Sequence, residues 1–561
     1  MRGMMMDFPL TLTAIVRRAE QLYPAVEIVS RKPDKTLLRT PYGEVGRRAR
    51  HLAAGLDGLG LRRSDRVATL AWNHAQHLEA YFAVPCGGMV CHTLNLRLHP
   101  SDLTYIATHA GDRAIIVDDT LLPLFEKFRA GTPIEHVIVI RHTNAPLPVG
   151  ALDFEQVVAA GAARTGWDYP DLEENTAAAM CYTSGTTGKP KGVVYSHRSQ
   201  CLHTLGASLH ATLRLSDMDA VLAVVPMFHA NAWGIPYLGA MNGARQIFPG
   251  PHLDSNSLID LIAGERVTLA AGVPTIMLGM LAVLDAMPVK PDFSSVRHIL
   301  IGGSAVPQSL IKSYRERYGL TIQQGWGMTE TSPLASVGNP PSWLTFARPE
   351  DEDAYRARQG RPVPFVELRA RNDAGELAPW DGVAMGELEI RGPWVTSGYY
   401  DSPDSAERFT PDGWFRTGDI ASLHPDGSIE IRDRTKDVIK SGGEWISSVA
   451  LENALMGHPS VAEAAVIGVA EPKWAERPLA VVVLKAGKTA THEELIEFLL
   501  QTFPKWWMPD ATEFVDAIPR TSAGKFLKTA LRETYGDRLM PAGAAPTAAA
   551  LPAAAPAGRT S

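Results

Sequence analysis

Short apolar runs and helically patterned stretches alternate along most of this chain. Residues 66–72, 114–117 and 136–140 are apolar runs that read as buried strands, and 44–58 and 72–83 carry helical spacing between them. The strand series continues at 177–182, 220–225, 267–273 and 298–303. Such alternation predicts α/β layers built on largely parallel sheet. The pattern then changes. Residues 429–432 alternate, 449–456 and 493–500 read as helices, and 464–469, 479–484 and 513–517 read as strands. That mixture predicts a second, α+β domain of about 100 residues. Nothing recurs at a period of about 20–50 residues, which excludes a repeat array.

Composition narrows the picture. The chain has 561 residues, 45% hydrophobic and 20% charged, which is ordinarily globular and long enough for several domains. A net charge of −7 argues against general affinity for nucleic acid. No run reaches the roughly 18 apolar residues of a membrane span, leaving only peripheral membrane contact open. The N-terminal MRGMMMDFPL has neither a long apolar core nor a small-residue cleavage site, and does not read as a signal peptide. Cys86, Cys91, Cys181 and Cys201 show no metal-binding or CxxC spacing and are expected to be reduced thiols in a cytoplasmic protein. The final Arg-Thr-Ser is not an SKL-type peroxisomal address. Residues 541–561 are dominated by alanine and proline, cannot bury a core, and are expected to be disordered.

The densest chemistry lies at 182–192, YTSGTTGKPKG. Tyr182, Thr183, Ser184, Thr186 and Thr187 supply hydroxyls, Gly185, Gly188 and Gly192 let the backbone come close to a ligand, and Lys189 and Lys191 add charge. Flanked by apolar runs, this reads as strand, mobile loop, strand, and as a cradle for polyphosphate. It is not a P-loop: Thr183 stands where the first glycine belongs, and Pro190 follows the lysine where Ser or Thr is required.

Other stretches carry complementary groups. At 226–234, PMFHANAWG places Phe228, His229 and Trp233 at a strand end, where α/β proteins bind ligands. Gly302 and Gly303, followed by Ser304, leave room for a flat ring against backbone. At 323–331, QQGWGMTET sets Trp326 between Gly325 and Gly327 as a stacking face, with Thr329 suited to a phosphate and Glu330 to Mg²⁺. Asp419, after a Thr-Gly turn, can accept from both ribose hydroxyls. Residues 433–446 are charged and then glycine-rich, and 519–528, PRTSAGKFLK, put Lys525 after a glycine.

Together and in this order, the motifs resemble the AMP-forming adenylating enzymes: acyl-CoA synthetases, peptide-synthetase adenylation domains and firefly-type luciferases. The resemblance spans roughly 9–533. PMFHANAWG, GWGMTETSPL, KSGGEWISS and PRTSAGKFLK look most like medium- and long-chain fatty acid–CoA ligases, and KWWMPD at 505–510 also like methylmercaptopropionate-CoA ligases. The resemblance implies an N-terminal adenylation domain over 1–432, a mobile C-terminal domain over 433–540 hinged at Asp433, and a tail over 541–561. It implies ATP held by Thr183, Ser184, Gly185, Thr186, Thr187, Lys191, Gly302, Gly303, Ser304, Gln324, Gly325, Trp326, Gly327, Thr329, Asp419, Arg434, Lys436 and Lys525, with Mg²⁺ at Thr183 and Glu330.

Lys525, Glu330 and Thr329 would be catalytic, with Lys525 contacting the carboxylate and α-phosphate. His229, Ala230, Trp233 and Gly234 would form the acyl pocket, Trp233 resembling an aromatic gate. CoA would be met by Lys440, Ser441, Gly442, Gly443, Glu444 and Trp445. A homodimer is a common state of the family. The expected reaction joins a fatty acid to CoA through an acyl-AMP. A CoA ligase for a short or substituted carboxylate such as 3-methylmercaptopropionate, charging of a carrier protein, luciferase-like oxidation and non-catalytic nucleotide sensing are the alternatives; no carrier domain follows, and a sensor would not need both Lys525 and Glu330.

Overall fold

A computed structural model describes the chain apart from Arg2, 184–188, Gly443, 521–525 and 541–561. The expectations for Ser184, Gly185, Thr186, Thr187, Gly443, Lys525 and the tail therefore lie outside the described residues. By internal contacts the chain divides into two units, one spanning Met1–Ile431 and the other beginning at Arg432.

The large unit holds three sheets. One has seven strands in the order Leu152–Asp153, His136–Ile140, Asp112–Asp118, Arg66–Leu70, Val90–Thr93, Ala177–Tyr182 and Gly192–Ser196, all parallel except the last pair. A nine-stranded sheet has a parallel centre made of Ile322–Gly327, His298–Ile301, Leu269–Gly272, Ala220–Ala223, Arg245–Phe248 and Glu27–Arg31, with antiparallel strands at both edges. The central strands are near-continuous apolar runs because helices cover both faces. A four-stranded sheet ordered Glu367–Arg371, Met385–Arg391, Phe415–Leu423 and Ile429–Arg434 completes it. The first three of those strands pair antiparallel. This sheet does not stand out as apolar runs, because strands such as ELRAR face solvent on one side.

Two expected elements have shifted bounds. The helix expected from residue 72 spans Ala75–Cys86, with His74 as its cap, its side chain accepting from the His77 N–H. The strand expected over 220–225 stops at Ala223. Just beyond, the Val224 and Val225 N–H groups both donate to the Ala271 carbonyl. Between the two, the Asn73 side chain bonds residues 223, 225 and 227, while Trp72 and His74 bond Asp118 in their own sheet.

The small unit is a five-stranded sheet of Val461–Glu471, Ala475–Leu484, Ile439–Ser441, Glu444–Ile446 and Ala511–Phe514 with three helices, Ser448–Leu455, His492–Leu500 and Lys528–Tyr535. Period-two alternation divides its core: Val466, Ala480 and Val482 face one cluster, and Ala465, Ile467 and Val481 the other.

Candidate active site

Strand ends of the large unit gather the expected residues. Thr183 and Lys191 bracket the 184–188 segment and pair with each other, the Thr183 N–H donating to Lys191 O at 2.9 Å. Lys191 Nζ lies 5.1 Å from the centre of the Tyr399 ring. Tyr399 donates its hydroxyl to Glu330 Oε1 at 2.6 Å, and the Glu330 carbonyl accepts the Thr396 N–H at 2.7 Å. Burial, and then the neighbouring Glu330 carboxylate, push the Tyr399 phenol well up, so it stays a donor. Tyr195 donates to the Thr329 carbonyl at 2.8 Å. The Thr329–Thr331 turn is thus held from two sides, one being the strand that leaves the glycine-rich loop.

Trp326 is buried, and its indole N–H donates to Asp419 Oδ2 at 2.9 Å. Its most direct role in the structure is to orient that carboxylate. The Asp419 N–H is capped by the Thr417 hydroxyl at 3.0 Å, fixing the carboxylate from its own backbone. Gly327 tolerates no side chain, since a Cβ there would sit 1.9 Å from the Pro333 carbonyl oxygen. Gln324 and Gly325 precede it on the Ile322–Gly327 strand, and the Gln324 carbonyl accepts the Gly338 N–H at 2.7 Å.

The residues expected for the acyl chain border a cleft of about 670 Å³, a volume that includes space open to solvent. Val224, Val225, Phe228, Val273 and Ile276 give it an apolar wall, and His229, Trp233, Gly303 and Ser304 line it too. Residues expected for the carboxylate and for the nucleotide therefore share one cavity. Gly302 lets the Trp233 indole come close: a Cβ at 302 would lie 3.1 Å from the ring. Gly303 has φ +88°, a conformation natural only to glycine.

Trp233 sits on an uncommon turn. Ala230, Asn231, Ala232 and Trp233 have φ of 43°, 54°, 49° and 57°, followed by Gly234 at 77°. Left-handed backbone disfavours non-glycine residues by roughly 1–2 kcal/mol each. The turn is anchored where the Cys181 thiol meets Asn231 Oδ1 at 3.1 Å. Ala230 and Gly234, expected on the acyl pocket, are buried within this turn instead, and Gly234 lies against the His203 ring.

In the small unit, Lys440, Ser441, Glu444 and Trp445 form a tight hairpin in which Lys440 pairs with Trp445. Lys440 Nζ lies 5.5 Å from the Trp445 ring centre. Gly442 takes φ +61° and donates to the Trp474 carbonyl at 2.9 Å. Ser441 turns inward, accepting from Arg477 at 3.2 Å. Asp433 is buried, its carboxylate accepting the Ser448 N–H at 2.7 Å and the Arg434 N–H at 2.8 Å. Arg434 and Lys436 follow it, and burial lowers the Lys436 pKa.

Tyr195, Tyr399 and Asn73 were not singled out by motif. GYY at 398–400 reads as a turn, and only the hydroxyl bonds to Glu330 and Thr329 mark these tyrosines.

A strand pair bracketing the glycine-rich segment, an indole-held aspartate and an adjoining apolar cavity sit on a fold of the adenylate-forming class. Residues 24–400 match the AMP-binding enzyme family, and residues 450–525 match the AMP-binding enzyme C-terminal domain. The chain belongs to this family, as an AMP-forming acyl-CoA synthetase. It is 49% identical to a long-chain-fatty-acid–CoA ligase of Thermus thermophilus, over 95% of this chain and 96% of that one. It is 45% identical to a 3-methylmercaptopropionyl-CoA ligase of Ruegeria lacuscaerulensis, over 96% of this chain and all of that one. The structure resembles that of the anthranilate-CoA ligase AuaEII in complex with anthranoyl-AMP, with a TM-score of 0.83 at 25% identity, covering 94% and 98% of the two chains.

Proposed function

We propose that the protein is an ATP-dependent fatty acid–CoA ligase for medium- to long-chain acids. A carboxylate attacks the α-phosphorus of ATP, pyrophosphate leaves, and the CoA thiol then displaces AMP from the acyl-AMP. The observation that carries the acyl class is the single cavity in which His229 and Trp233 meet Gly303 and Ser304 behind a wall of Val225, Phe228, Val273 and Ile276. An apolar wall of this kind suits an alkyl chain. In this reading Asp419 takes the ribose, Thr329 the α-phosphate, and Thr183 and Lys191 the outer phosphates. Lys525 stabilises the charge that develops during adenylation, by the logic of a positioned donor. The hairpin at 440–445 receives CoA.

The hard oxygen donors of Glu330 and Thr183 fit Mg²⁺, which would neutralise phosphate charge there. Asp433 is proposed as the pivot between the half-reactions. Its carboxylate is tied to Ser448, so the bending would fall on the backbone just before it. A homodimer fits the apolar N-terminal strip Met4, Met5, Met6 and Phe8, which is 71–91% exposed. Four unpaired buried cysteines fit a reducing, cytoplasmic setting.

A second reading, a ligase for a short thioether acid such as 3-methylmercaptopropionate, is supported by the 45% identical relative. Pyrophosphate release and thioester formation, assayed from propionate to palmitate with 3-methylmercaptopropionate included, test both. Highest kcat/KM between octanoate and palmitate is expected. A maximum on the thioether acid would replace the first reading with the second, and pyrophosphate without thioester would overturn both.

A further inference from the structure

We infer that Asn73, which lines no part of the cavity, is a positioning residue that sets acyl-chain preference by fixing the path of residues 223–227; this rests on the fatty-acid reading above. Asn73 is 4% exposed, between the Arg66–Leu70 strand and the Ala75–Cys86 helix. Its amide is fully used. Nδ2 donates to the Ala223 carbonyl at 3.0 Å and to the Val225 carbonyl at 2.9 Å, and Oδ1 accepts the Met227 N–H at 2.8 Å. Its own carbonyl accepts the Gly250 N–H at 3.2 Å.

These bonds fall where the chain leaves its sheet. After Ala223 the ladder ends, and buried backbone groups there need partners from elsewhere. Asn73 supplies two donors and one acceptor at alternate residues. Val224, Val225, Pro226, Phe228 and His229, within or just after that span, line the cavity. The amide therefore sets where the wall stands. Aspartate has the same shape without the donors, and would turn two carbonyls toward a carboxylate.

Asn73 is itself held on both sides by one buried carboxylate. Asp118 accepts the Trp72 N–H at 2.9 Å, and His74 Nε2 donates to it at 2.9 Å. His74 Nδ1 accepts the His77 N–H, so the ring proton resides on Nε2 and that nitrogen is a donor. His142 Nε2 lies 3.1 Å from Asp118 Oδ1, within ion-pair reach but off the line of a hydrogen bond. The His74, Asp118 and His142 side chains are close enough to suggest a metal site. With Nδ1 engaged by the His77 N–H, His74 Nε2 has no lone pair to offer a metal, and the group serves as a brace for 72–74.

The test compares wild type, Asn73→Asp and Asn73→Ser as full-length protein, measuring kcat/KM for octanoate and palmitate and KM for ATP. Both variants are expected to change the octanoate-to-palmitate ratio roughly tenfold, the scale of pocket-fit discrimination, while KM for ATP stays within about twofold. A ratio taken within one preparation is independent of the fraction folded, so instability does not mimic the effect. Loss of activity with an unchanged ratio overturns the inference. Should Asn73→Asp not fold, Asn73→Ser decides alone. Should wild type turn over neither fatty acid, the fatty-acid reading fails by itself, and the ratio is read on two acids of unequal length that it does accept.

Discussion

The two units hold their functional segments by opposite means. The large unit meets its site with neutral donors, the Asn73 amide, the Tyr195 and Tyr399 hydroxyls and the Trp326 indole, and keeps its buried Asp118 carboxylate one step behind them, as the brace of Asn73. The small unit uses buried charge. Lys528 Nζ lies 2.7 Å from Glu452 and donates to Ser448 at 2.6 Å, while Ser448 in turn donates to Asp433. Four residues along the same helix, Arg532 reaches Asp437 at 2.7 Å. Burial pulls the Lys528 pKa down, but Glu452 and Asp433 outweigh it and hold that pKa above the ordinary lysine value. The lesson is one of brittleness. Leaving a buried neutral group unpaired costs about 1–3 kcal/mol, whereas leaving a buried ion unpaired costs roughly 3–5 kcal/mol.

The largest expected effect lies in chemistry. Lys525→Ala should slow adenylation roughly 10²- to 10³-fold, the value of one positioned donor, and leave thiolation of supplied acyl-AMP far less affected. Similar losses in both half-reactions would remove the catalytic role from Lys525. Next, Lys528→Met should destabilise the small unit by about 3–5 kcal/mol in urea unfolding, by exposing Asp433 and Glu452 to burial without a cation. If it costs no more than Asn73→Ser, the contrast between charged and neutral anchoring is wrong.

The smallest effect is pH-dependent and belongs to the large unit. Burial pushes the His142 pKa down, but Asp118 outweighs burial and raises it above 6.5. A raised histidine contributes stability that is complete below the unfolded pKa near 6.5 and is lost as pH rises through the folded value. His142→Gln should therefore lower Tm at pH 6 more than at pH 9, and only modestly, because Asp118 keeps its bonds to Trp72 and His74. An equal drop at both pH values would mean His142 acts by packing alone.

Much of this was legible in the residues. The 177–182 run became the strand Ala177–Tyr182 without adjustment, because its apolar run ends at a loop of glycine and hydroxyls. The α/β layering followed from alternation alone. The antiparallel Glu367–Arg371 sheet did not, since charged alternation resembles solvated loop. Asn73 was equally hidden: it bonds carbonyls about 150 residues away, and local pattern carries no trace of such a partner. The helix starts at 75 and not at 72 because Trp72, Asn73 and His74 bond distant residues and His74 caps the first turn.

The left-handed run Ala230–Trp233 has a practical consequence. Its four residues have backbone angles they would abandon if their surroundings allowed, so this stretch should be the first part of the cavity to report a disturbance. Amide exchange at Asn231 and Ala232 makes it a built-in gauge of whatever enters beside it.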